Sequence, residues 1–491
     1  MFLGIDLGLG SLKATVIGRD GSVRAEASCA VTTTSLQAGH AEQSPHDWEQ
    51  AMGRALASLQ SLVELPAVEG ISFTAGAHSM VLMDKEGRVL RPAIMWPDQR
   101  AGDEAAELNQ RMQERLMSIG HNRAAPTWSI APLYWLKRHE GDMVAKIALA
   151  VFAKDWLRMQ LTGDRVTDRI DAQGSLLLDM DRLEWSKELC DAIGWDIETL
   201  PAVRNPTDLA GRVQREAAAR YGLREGTPVY VGTCDTAAEV WSAGALAPGD
   251  TVVKLASAGV VNVIAEQPAK LPNVPSKGFV VPNMYYALGA INSCATAHKW
   301  LSELLLDVAD ADAFIGLDKR AADIAPGSDG LMFHPYLLGE RAPYWDPKLR
   351  ASFVGLGMAH GRGHLVRAFY EGVAFALRDA ARPMQDAGLT VGTAALVGGG
   401  AKSDLWAQVI ADVLGVTLRR PAHGDASYGA ALIAAVGAGV FADEVAAVRA
   451  CVTFGSAIVP DPERVALYGN LFDRYRRVKM QLTEINHEIS N

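Results

Sequence analysis

The stretch that decides the fold opens the chain, where residues 2–17 read FLGIDLGLGSLKATVI. Apolar residues dominate both ends of this stretch, and small residues occupy its middle around Gly8 and Gly10. The pattern predicts two strands joined by a tight turn. Asp20-Gly21 is a further turn signal, and it leads into another strand-like segment, residues 22–30. We therefore expect the chain to open with an antiparallel meander.

A second stretch, residues 251–264, repeats this arrangement. Residues 6–12 read DLGLGSL and residues 254–260 read KLASAGV, so both place small residues between apolar strands. Each stretch opens a similar length of chain, which indicates a duplicated domain. The 491 residues are also too many for one hydrophobic core. We predict two domains, residues 1–246 and 247–491, with a turn-rich connector at residues 244–249.

Composition narrows the classes of function. The net charge is −10 and the chain has no basic block, which argues against a nucleic-acid-binding surface. An acid, Asp6, stands where a signal peptide would need an unbroken apolar core. The longest apolar run, residues 428–443, is too short to span a bilayer and predicts a buried helix, so no membrane partner is expected. Scattered thiols fit a reduced, cytoplasmic protein; they are Cys29, Cys190, Cys234, Cys294 and Cys451.

The first turn has the composition of a phosphate-binding turn. Gly8, Gly10 and Ser11 would let backbone N–H groups approach a phosphate without obstruction by side chains. Asp6 just before the turn could hold magnesium, and Lys13 follows just after it. A tight hairpin without a ligand explains the same residues. No G-x-x-x-x-G-K-[ST] motif occurs, so a P-loop kinase is not expected.

Two further turns allow the same pair of interpretations. Residues 256–259, ASAG, match the first turn in their small side chains. Three glycines, residues 398–400, stand between an apolar strand at 394–397 and a helix at 404–414. They leave room for a flat group such as a nucleotide against the backbone. A strand–helix joint that needs close packing is the alternative, although it usually requires fewer glycines.

Asp235 and His78 are the polar residues with the most distinctive settings. Asp235 follows an apolar strand and precedes a helix, so it could cap that helix or act as a general base, and the residue types favour neither. His78 is a lone histidine, a type that is usually structural or merely exposed. His360 and His364 have the spacing of metal ligands, but the two glycines between them argue against a helix and no acid accompanies them. We therefore expect no zinc site.

Together these pieces resemble the FGGY carbohydrate kinases, which belong to the superfamily of sugar kinases, actin and Hsp70. The resemblance covers almost the whole chain in order. The matching segments are Gly4-Ile5-Asp6-Leu7-Gly8, Asp235, Gly339-Glu340-Arg341-Ala342-Pro343-Tyr344-Trp345-Asp346-Pro347, Ala351-Ser352-Phe353-Val354-Gly355-Leu356, His364-Leu365, Tyr370-Glu371-Gly372 and Gly398-Gly399-Gly400. The resemblance implies an α/β fold of two ribonuclease-H-like, actin-like ATPase domains that flank a central cleft.

Within the family the chain is most similar to xylulokinases. The similarity lies in residues 40–45, 90–96 and 171–175, which read HAEQSP, LRPAIMW and DAQGS. Three departures stand out. Gly76-Ala77-His78 replaces the usual Gln-Met-His, and Trp96-Pro97-Asp98 replaces the usual Trp-Asn-Asp. The phosphate turns also lack the usual Gly-Thr-Ser and Gly-Thr-Ser-Gly, although Ser11 and Ser257 retain hydroxyls.

The resemblance implies a role for each candidate residue. It implies phosphorylation of a small free sugar, with a pentulose such as D-xylulose as first choice, and with ATP and Mg²⁺. Asp235 would be the base, and Asp6 with Asp235 would position the metal. The nucleotide would contact Gly8, Gly10, Ser11, Lys13, Ser257, Gly259, Gly399, Gly400 and Ser403. The sugar would contact His78, Trp96, Asp98, Asp235 and Thr236.

Other classes of function stay open. The acceptor could be another ketose, a polyol or a sugar acid such as gluconate. An actin-like or Hsp70-like ATPase ranks lower, because those proteins lack the segments at 342–346 and 96–98. The altered phosphate turns leave a catalytically weak sugar sensor as a further alternative. The sequence does not define the oligomeric state, and a homodimer is one possibility.

Overall fold

The computed structural model describes residues 1–305 and 313–490. The chain divides into two compact units, and each takes residues from more than one part of the sequence. The first unit comprises Met1–Gly244, Lys277–Met284 and His423–Val452. The second unit comprises Ala245–Ser276, Tyr285–Ala422 and Thr453–Asn491. The predicted division of the sequence into residues 1–246 and 247–491 stays a prediction.

The strands of the described residues are mostly short. In chain order they are β1 (Phe2–Leu7), β2 (Ser11–Ile17), β3 (Val23–Ala30), β4 (Glu42–Gln43), β5 (Gly70–Ala75), β6 (Met80–Met83), β7 (Ala93–Ile94), β8 (Leu149–Phe152), β9 (Val166–Asp168), β10 (Leu178–Asp179), β11 (Glu184–Trp185), β12 (Ala202–Arg204), β13 (Leu209–Arg212), β14 (Pro228–Tyr230), β15 (Thr233–Cys234), β16 (Thr251–Leu255), β17 (Gly259–Ala265), β18 (Ser276–Gly278), β19 (Tyr285–Ile291), β20 (Met332–His334), β21 (Ser352–Val354), β22 (Ala394–Val397) and β23 (Leu418–Arg419).

The α-helices vary more in length. They are α1 (Pro45–Gln60), α2 (Gly102–Ile119), α3 (Ile130–His139), α4 (Gly141–Val144), α5 (Ala153–Thr162), α6 (Arg169–Gly174), α7 (Lys187–Ala192), α8 (Arg215–Tyr221), α9 (Asp235–Ser242), α10 (Ala295–Leu305), α11 (Ala313–Ala321), α12 (Arg362–Asp386), α13 (Asp404–Leu414), α14 (Ala426–Gly437), α15 (Glu444–Cys451) and α16 (Pro462–Ile489). Short 3₁₀ helices cover Leu65–Ala67, Ile197–Thr199, Ser328–Gly330 and Gly399–Lys402. Among the helices described here, none is long and apolar enough to cross a bilayer.

The first unit is built on a sheet with strand order β13-β14-β5-β1-β2-β3, and β15 also pairs with β5. The antiparallel meander predicted from the opening residues is confirmed as β1, β2 and β3. Strands β1 and β15 both run parallel to β5, with Asp6 opposite Thr74 and Cys234 opposite Ala75. Since parallel strands end at the same edge of a sheet, the carboxyl ends of β1, β5 and β15 lie together.

Helix α14 packs closely against this sheet. The buried helix predicted in the apolar run 428–443 is confirmed as far as Gly437, where α14 ends, and Ala426 to Ala435 are all buried. A Cβ added to Gly4 of β1 would lie 2.0 Å from the Ser427 carbonyl oxygen, so only glycine permits this approach. A Cβ on Gly429 would lie 2.6 Å from the Ala238 carbonyl oxygen in α9. The first unit thus depends on a helix from late in the sequence.

The second unit contains the repeat predicted from the sequence. The strands wholly inside this unit follow the order β19-β17-β16-β22-β23. Strands β16 and β17 are antiparallel and form the predicted second hairpin. Strand β16 is parallel to β22, with Lys254 opposite Val397. The turn that follows β16 and the glycine turn that follows β22 therefore lie at the same edge of the sheet.

The C-terminal helix α16, predicted from its spaced apolar residues, closes the core of the second unit. His334 of β20 stacks on Tyr475 of α16 with ring centroids 4.3 Å apart, and its Nε2–H donates to the Tyr475 carbonyl oxygen at 3.0 Å. Tyr336 and Tyr475 also share a hydrogen bond of 2.9 Å between their hydroxyls. Burial lowers the pKa of His334 from 6.5 to about 4, so this imidazole is neutral in the folded protein.

We expect this buried histidine to make the second unit acid-labile. Because the folded-state pKa of His334 lies below the unfolded-state value of 6.5, its stabilising contribution is complete above pH 6.5 and is lost as the pH falls towards 4. At pH 5 the loss is about 2 kcal/mol. Urea unfolding of the wild type and of His334→Gln at pH 7.5 and pH 5 measures this. An equal loss in both proteins would contradict the role given to His334.

Candidate active site

Asp235 lies at the edge where the parallel strands of the first unit end. It directly follows β15 and is the first residue of α9, whose N-cap is Cys234. The carboxylate Oδ1 accepts hydrogen bonds from Thr236 N at 2.6 Å and from Thr236 Oγ1 at 3.1 Å. The helix N-terminus favours a negative charge at this position. Among the described residues Oδ2 has no hydrogen-bond donor, so Asp235 retains one oxygen that can accept a proton.

Asp6 is the second carboxylate at this edge. Thr74 Oγ1 donates to Asp6 Oδ1 at 2.9 Å, as the register of β1 and β5 requires. Burial raises the pKa of Asp6 to about 8, and the negative charge of Asp235 raises it in the same direction. Asp6 and Asp235 are thus close enough to repel each other. A cation bound beside them would relieve this repulsion.

The predicted first phosphate turn joins β1 to β2. Gly8 N donates to the Ser11 carbonyl oxygen at 2.9 Å, which closes the turn. A Cβ on Gly10 would meet no atom within 4 Å, so the space beside this glycine is open. Lys13 is engaged elsewhere, because its Nζ lies 2.7 Å from Glu26 Oε1 and 2.9 Å from Asp425 Oδ2. The turn therefore offers backbone groups, whereas Lys13 would have to leave two carboxylates to reach a phosphate.

The open oxygen of Asp235 faces a short segment between β5 and β6. A Cβ on Gly76 would lie 4.0 Å from Asp235 Oδ2 and 3.2 Å from Trp96 Cδ1. Trp96 and Asp235 therefore border the same space, and their roles as sugar-binding residues stay predictions. Asp98 has a different environment: its carboxylate accepts from Ala41 N at 2.6 Å and from the Arg100 Nε and Nη2 at 2.9 and 2.8 Å. Its role as a sugar ligand stays a prediction.

His78 follows Gly76-Ala77 and has the left-handed backbone conformation, with φ of 74°. Its Nδ1 lies 2.6 Å from the Gly174 carbonyl oxygen, and its ring centroid is 5.0 Å from that of Trp128. On the other side, Nε2 lies 3.3 Å from Lys277 Nζ. Burial, and then the charge of Lys277, lower the pKa of His78 well below its usual value. His78 is thus neutral, and both of its ring nitrogens lie close to a polar partner.

A buried network of charges supports the strand that leads to Asp235. Arg158 Nη1 donates to Asp155 Oδ1 at 2.7 Å and to the Val231 carbonyl oxygen at 2.6 Å. Its Nε and Nη2 donate to the two oxygens of Asp164 at 3.0 and 2.8 Å. Thr233 Oγ1 donates to Asp168 at 2.8 Å. Since Val231 and Thr233 stand just before Asp235, this network fixes the backbone on which the candidate base is placed.

The second predicted phosphate turn, residues 256–259, lies in the second unit. Ser257 is exposed, and its carbonyl oxygen accepts from Thr296 Oγ1 at 2.7 Å. Because Ser257 is exposed, a ligand can reach this residue. Gly259 instead belongs to β17, where a Cβ would lie 2.7 Å from Ile291 Cγ1 and 3.1 Å from Leu377 Cδ2. The structure gives Gly259 a packing role, and its nucleotide contact stays a prediction.

The glycine turn after β22 has one open position. Gly399 is exposed, and a Cβ there would meet no atom within 4 Å. Gly400 is buried, with a Cβ position 2.7 Å from Leu255 Cβ. Ser403 is also buried: its Oγ accepts from Trp406 N at 2.9 Å and donates to Asp318 Oδ1 at 2.9 Å. Of Gly399, Gly400 and Ser403, Gly399 has open space for a flat group beside it, and the nucleotide contacts of all three stay predictions.

The sequence reasoning missed several residues that the fold brings to these sites. Thr74 and Lys277 each stand in an apolar or small-residue stretch with no motif around them. Asp171 lies in the segment 171–175 that is similar to xylulokinases, but its residue type alone indicates no role. Asp425 precedes α14, so only the packing of that helix brings it to Lys13. Register could have found Thr74, because it pairs with Asp6 in the parallel strands.

Comparison with known proteins identifies this arrangement. The N-terminal domain model of the FGGY family of carbohydrate kinases matches residues 1–241, and the C-terminal domain model matches residues 255–438. The xylulose kinase of Bacillus subtilis is 32% identical over 99% of this chain and 97% of its own. The crystal structure of xylulose kinase from Rhodospirillum rubrum has a TM-score of 0.91 and 32% identity, covering 99% of both chains. A gluconokinase of Bacillus subtilis is 27% identical over 84% of this chain and 82% of its own.

These matches confirm the resemblance seen in the sequence. They also confirm the predicted α/β fold of actin-like kinase domains, because the likeness to the solved structure extends over nearly the full length of both chains. The two domain models follow each other in the family's order and together cover most of the chain. The chain therefore belongs to the FGGY family of carbohydrate kinases.

Proposed function

We propose that this carbohydrate kinase transfers the γ-phosphoryl group of ATP to a hydroxyl of a free pentulose, with D-xylulose as first choice. The observation that carries the proposal is the open Oδ2 of Asp235, which faces Gly76 and Trp96. The names of the related xylulose kinases support the choice of acceptor. The similarity at residues 90–96 and 171–175 supports it as well.

Asp235 acts as the general base. Its Oδ2 accepts the proton of the acceptor hydroxyl while that oxygen forms a bond to the γ-phosphorus, and the bond from the γ-phosphorus to the bridging oxygen breaks to release ADP. Thr236 holds Oδ1 through two hydrogen bonds, which fixes the orientation of the carboxylate. Phosphoryl transfer depends mainly on positioning and on neutralisation of charge, so one fixed base is sufficient on the protein side.

Asp6 and Asp235 have the chemistry of a magnesium site. Mg²⁺ usually takes one or two carboxylates together with water and substrate phosphates. The raised pKa of Asp6, about 8, fits a carboxylate that a cation would stabilise. When bound, the metal supplies positive charge to the phosphates.

The nucleotide contacts follow from the open positions of the turns. Backbone N–H groups around Gly10 and the hydroxyl of Ser257 are proposed to bind the β- and γ-phosphates. Gly399 is proposed to lie against the adenosine, because nothing occupies the space beside its Cα. Five unpaired cysteines fit a cytoplasmic location, where ATP is available. The homodimer stays a prediction.

A sugar acid is the second candidate acceptor. The gluconokinase match supports it, and so does the small volume of Gly76-Ala77, which leaves space for a longer acceptor. Steady-state kinetics with ATP and D-xylulose, L-xylulose, D-ribulose, glycerol and D-gluconate decides between the candidates. We expect the highest kcat/KM with D-xylulose. A higher kcat/KM for glycerol or D-gluconate would make the pentulose proposal wrong. The assignment to the carbohydrate kinases would not be affected.

We predict that His78→Ala raises the KM for the acceptor and leaves the KM for ATP unchanged. His78 contacts Gly174, Trp128 and Lys277, all in the first unit and distant in sequence from the nucleotide turns. The variant loses the hydrogen bond by which His78 Nε2 holds Lys277, and one such bond, about 0.5–1.5 kcal/mol, corresponds to roughly a 2- to 10-fold rise in KM. His46→Ala is the control, since the His46 side chain is 65% exposed. A rise in the KM for ATP alone would contradict the assignment.

A further inference from the structure

Among the residues that the structure describes, no carboxylate contacts the buried ammonium group of Lys277 directly. Lys277 is 6% exposed and belongs to the first unit. Within the described residues, its Nζ makes one hydrogen bond, to His78 Nε2 at 3.3 Å, and lies 5.1 Å from the centre of the Trp128 ring. An ammonium group has three N–H donors. Lys277 therefore has donor capacity that neither His78 nor Trp128 satisfies.

The neighbouring histidine cannot supply this capacity to a ligand. A carbonyl oxygen only accepts, so His78 Nδ1 must carry the proton that is donated to Gly174. Because burial and Lys277 keep His78 neutral, its Nε2 has a lone pair and accepts from Lys277. Both ring nitrogens of His78 are thus occupied. The histidine orients Lys277, and the ammonium is the group left to contact a substrate.

The carboxylate of Asp171 provides a hydrogen-bond acceptor on the face of α6 against which Lys277 packs. It is 1% exposed, and its Oδ1 has no hydrogen-bond partner among the described residues. Its other oxygen lies 3.6 Å from Lys154 Nζ. Gly174 follows Asp171 by three residues, a spacing that places both on one face of a helix. A Cβ on Gly174 would lie 2.8 Å from Lys277 Nζ, so Lys277 packs directly on that face.

The distance from the Lys277 and Asp171 pair to Asp235, the proposed base, is comparable with the length of a small sugar. Gly76 is beside Asp235 Oδ2, and His78, two residues later, contacts Lys277. Two residues of chain span roughly 7 Å at most, which is comparable with the length of a small sugar. A sugar whose reacting hydroxyl is at Asp235 can therefore present a remote hydroxyl to Lys277 and Asp171.

We propose that Lys277 and Asp171 are specificity-determining residues that together bind one remote hydroxyl of an uncharged sugar or polyol. Lys277 donates to the hydroxyl oxygen, and the hydroxyl donates to Asp171 Oδ1. A hydroxyl can do both at once, whereas a carboxylate has no proton to donate to Asp171 Oδ1. This inference rests on the proposed function, because it takes Asp235 as the reacting end, and it selects neutral acceptors over sugar acids.

Kinetics of Lys277→Met, Asp171→Asn and the double variant test the proposal, with D-xylulose and D-gluconate as acceptors. Each single variant should raise the KM for D-xylulose about 10- to 100-fold, as expected for a hydrogen bond to a charged group, with the KM for ATP unchanged. The double variant should lose less than the product of the single losses, because both residues bind the same hydroxyl. Lys85→Met is the control, since the Lys85 side chain is 84% exposed.

The inference would be overturned if the loss in the double variant equalled the product of the two single losses, or if the KM for D-xylulose were unchanged in the single variants. Calorimetric binding of D-xylulose in an Asp235→Asn background, where turnover is not needed, separates acceptor binding from catalysis. If the wild type neither binds nor phosphorylates D-xylulose, the pentulose proposal fails, and the same variants are measured with the best acceptor of the panel. A neutral best acceptor with coupled losses supports the inference, and a sugar acid as best acceptor overturns it.

Discussion

Asp235→Asn is expected to lower kcat by about 10²–10⁴-fold, the usual contribution of a positioned general base. The amide cannot accept the acceptor proton, whereas its oxygen can still accept the two hydrogen bonds that Thr236 gives to Asp235 Oδ1. The backbone of β15 and α9 should therefore be unchanged. Initial rates of ADP formation with D-xylulose, together with ATP binding measured by calorimetry, check the prediction.

Asp191→Asn is the control, because it makes the same change at a carboxylate that is 60% exposed and lies outside the site. We expect it to retain most of the wild-type kcat. If Asp235→Asn keeps most of its turnover while binding ATP normally, another group must take the proton, and Asp235 would be left with a structural role at the start of α9.

Arg158→Met is expected to destabilise the protein by roughly 3–5 kcal/mol, because it removes one partner of a buried ion-pair network. The side chain of Arg158 is fully buried, and Asp155 would remain paired with Lys154 while Asp164 would lose its cation. The Val231 carbonyl oxygen would also lose its donor, four residues before Asp235. Denaturant unfolding followed by circular dichroism measures the change in stability.

A second substitution makes this prediction specific. Adding Asp164→Asn should restore part of the lost stability, because it removes the charge that Arg158→Met leaves unpaired. Arg115→Met is the control: Arg115 pairs with Glu188 at the surface, where an ion pair contributes at most about 1 kcal/mol. An equal effect of the Arg158 and Arg115 variants would show that burial does not determine the strength of the network.

Local patterns in the sequence predicted the elements that carry the turns. The meander β1–β3, strand β22, helix α13 and the terminal helix α16 all follow from apolar periodicity and turn residues close in sequence. Asp235 was likewise found at the end of a strand, although the N-cap of α9 is Cys234 rather than Asp235.

The remaining features depend on contacts between distant residues. Nothing near Lys13 indicates that it pairs with Asp425, and nothing near His78 indicates that Lys277 occupies its Nε2. The packing of Gly259 against Leu377 is equally invisible in the turn sequence. Such contacts are set by tertiary structure, which no short window of sequence contains.

The late position of α14 has a consequence for synthesis on the ribosome. Strands β1 and β5 emerge early, but the helix that covers them begins at Ala426. At about 5–20 residues per second, roughly 20–70 seconds of translation separate β5 from α14. During that time the face of β1 at Gly4 is not covered by α14, so nascent chains should depend on chaperones more than an ordinary N-terminal domain does. A chain that stops before residue 426 should aggregate.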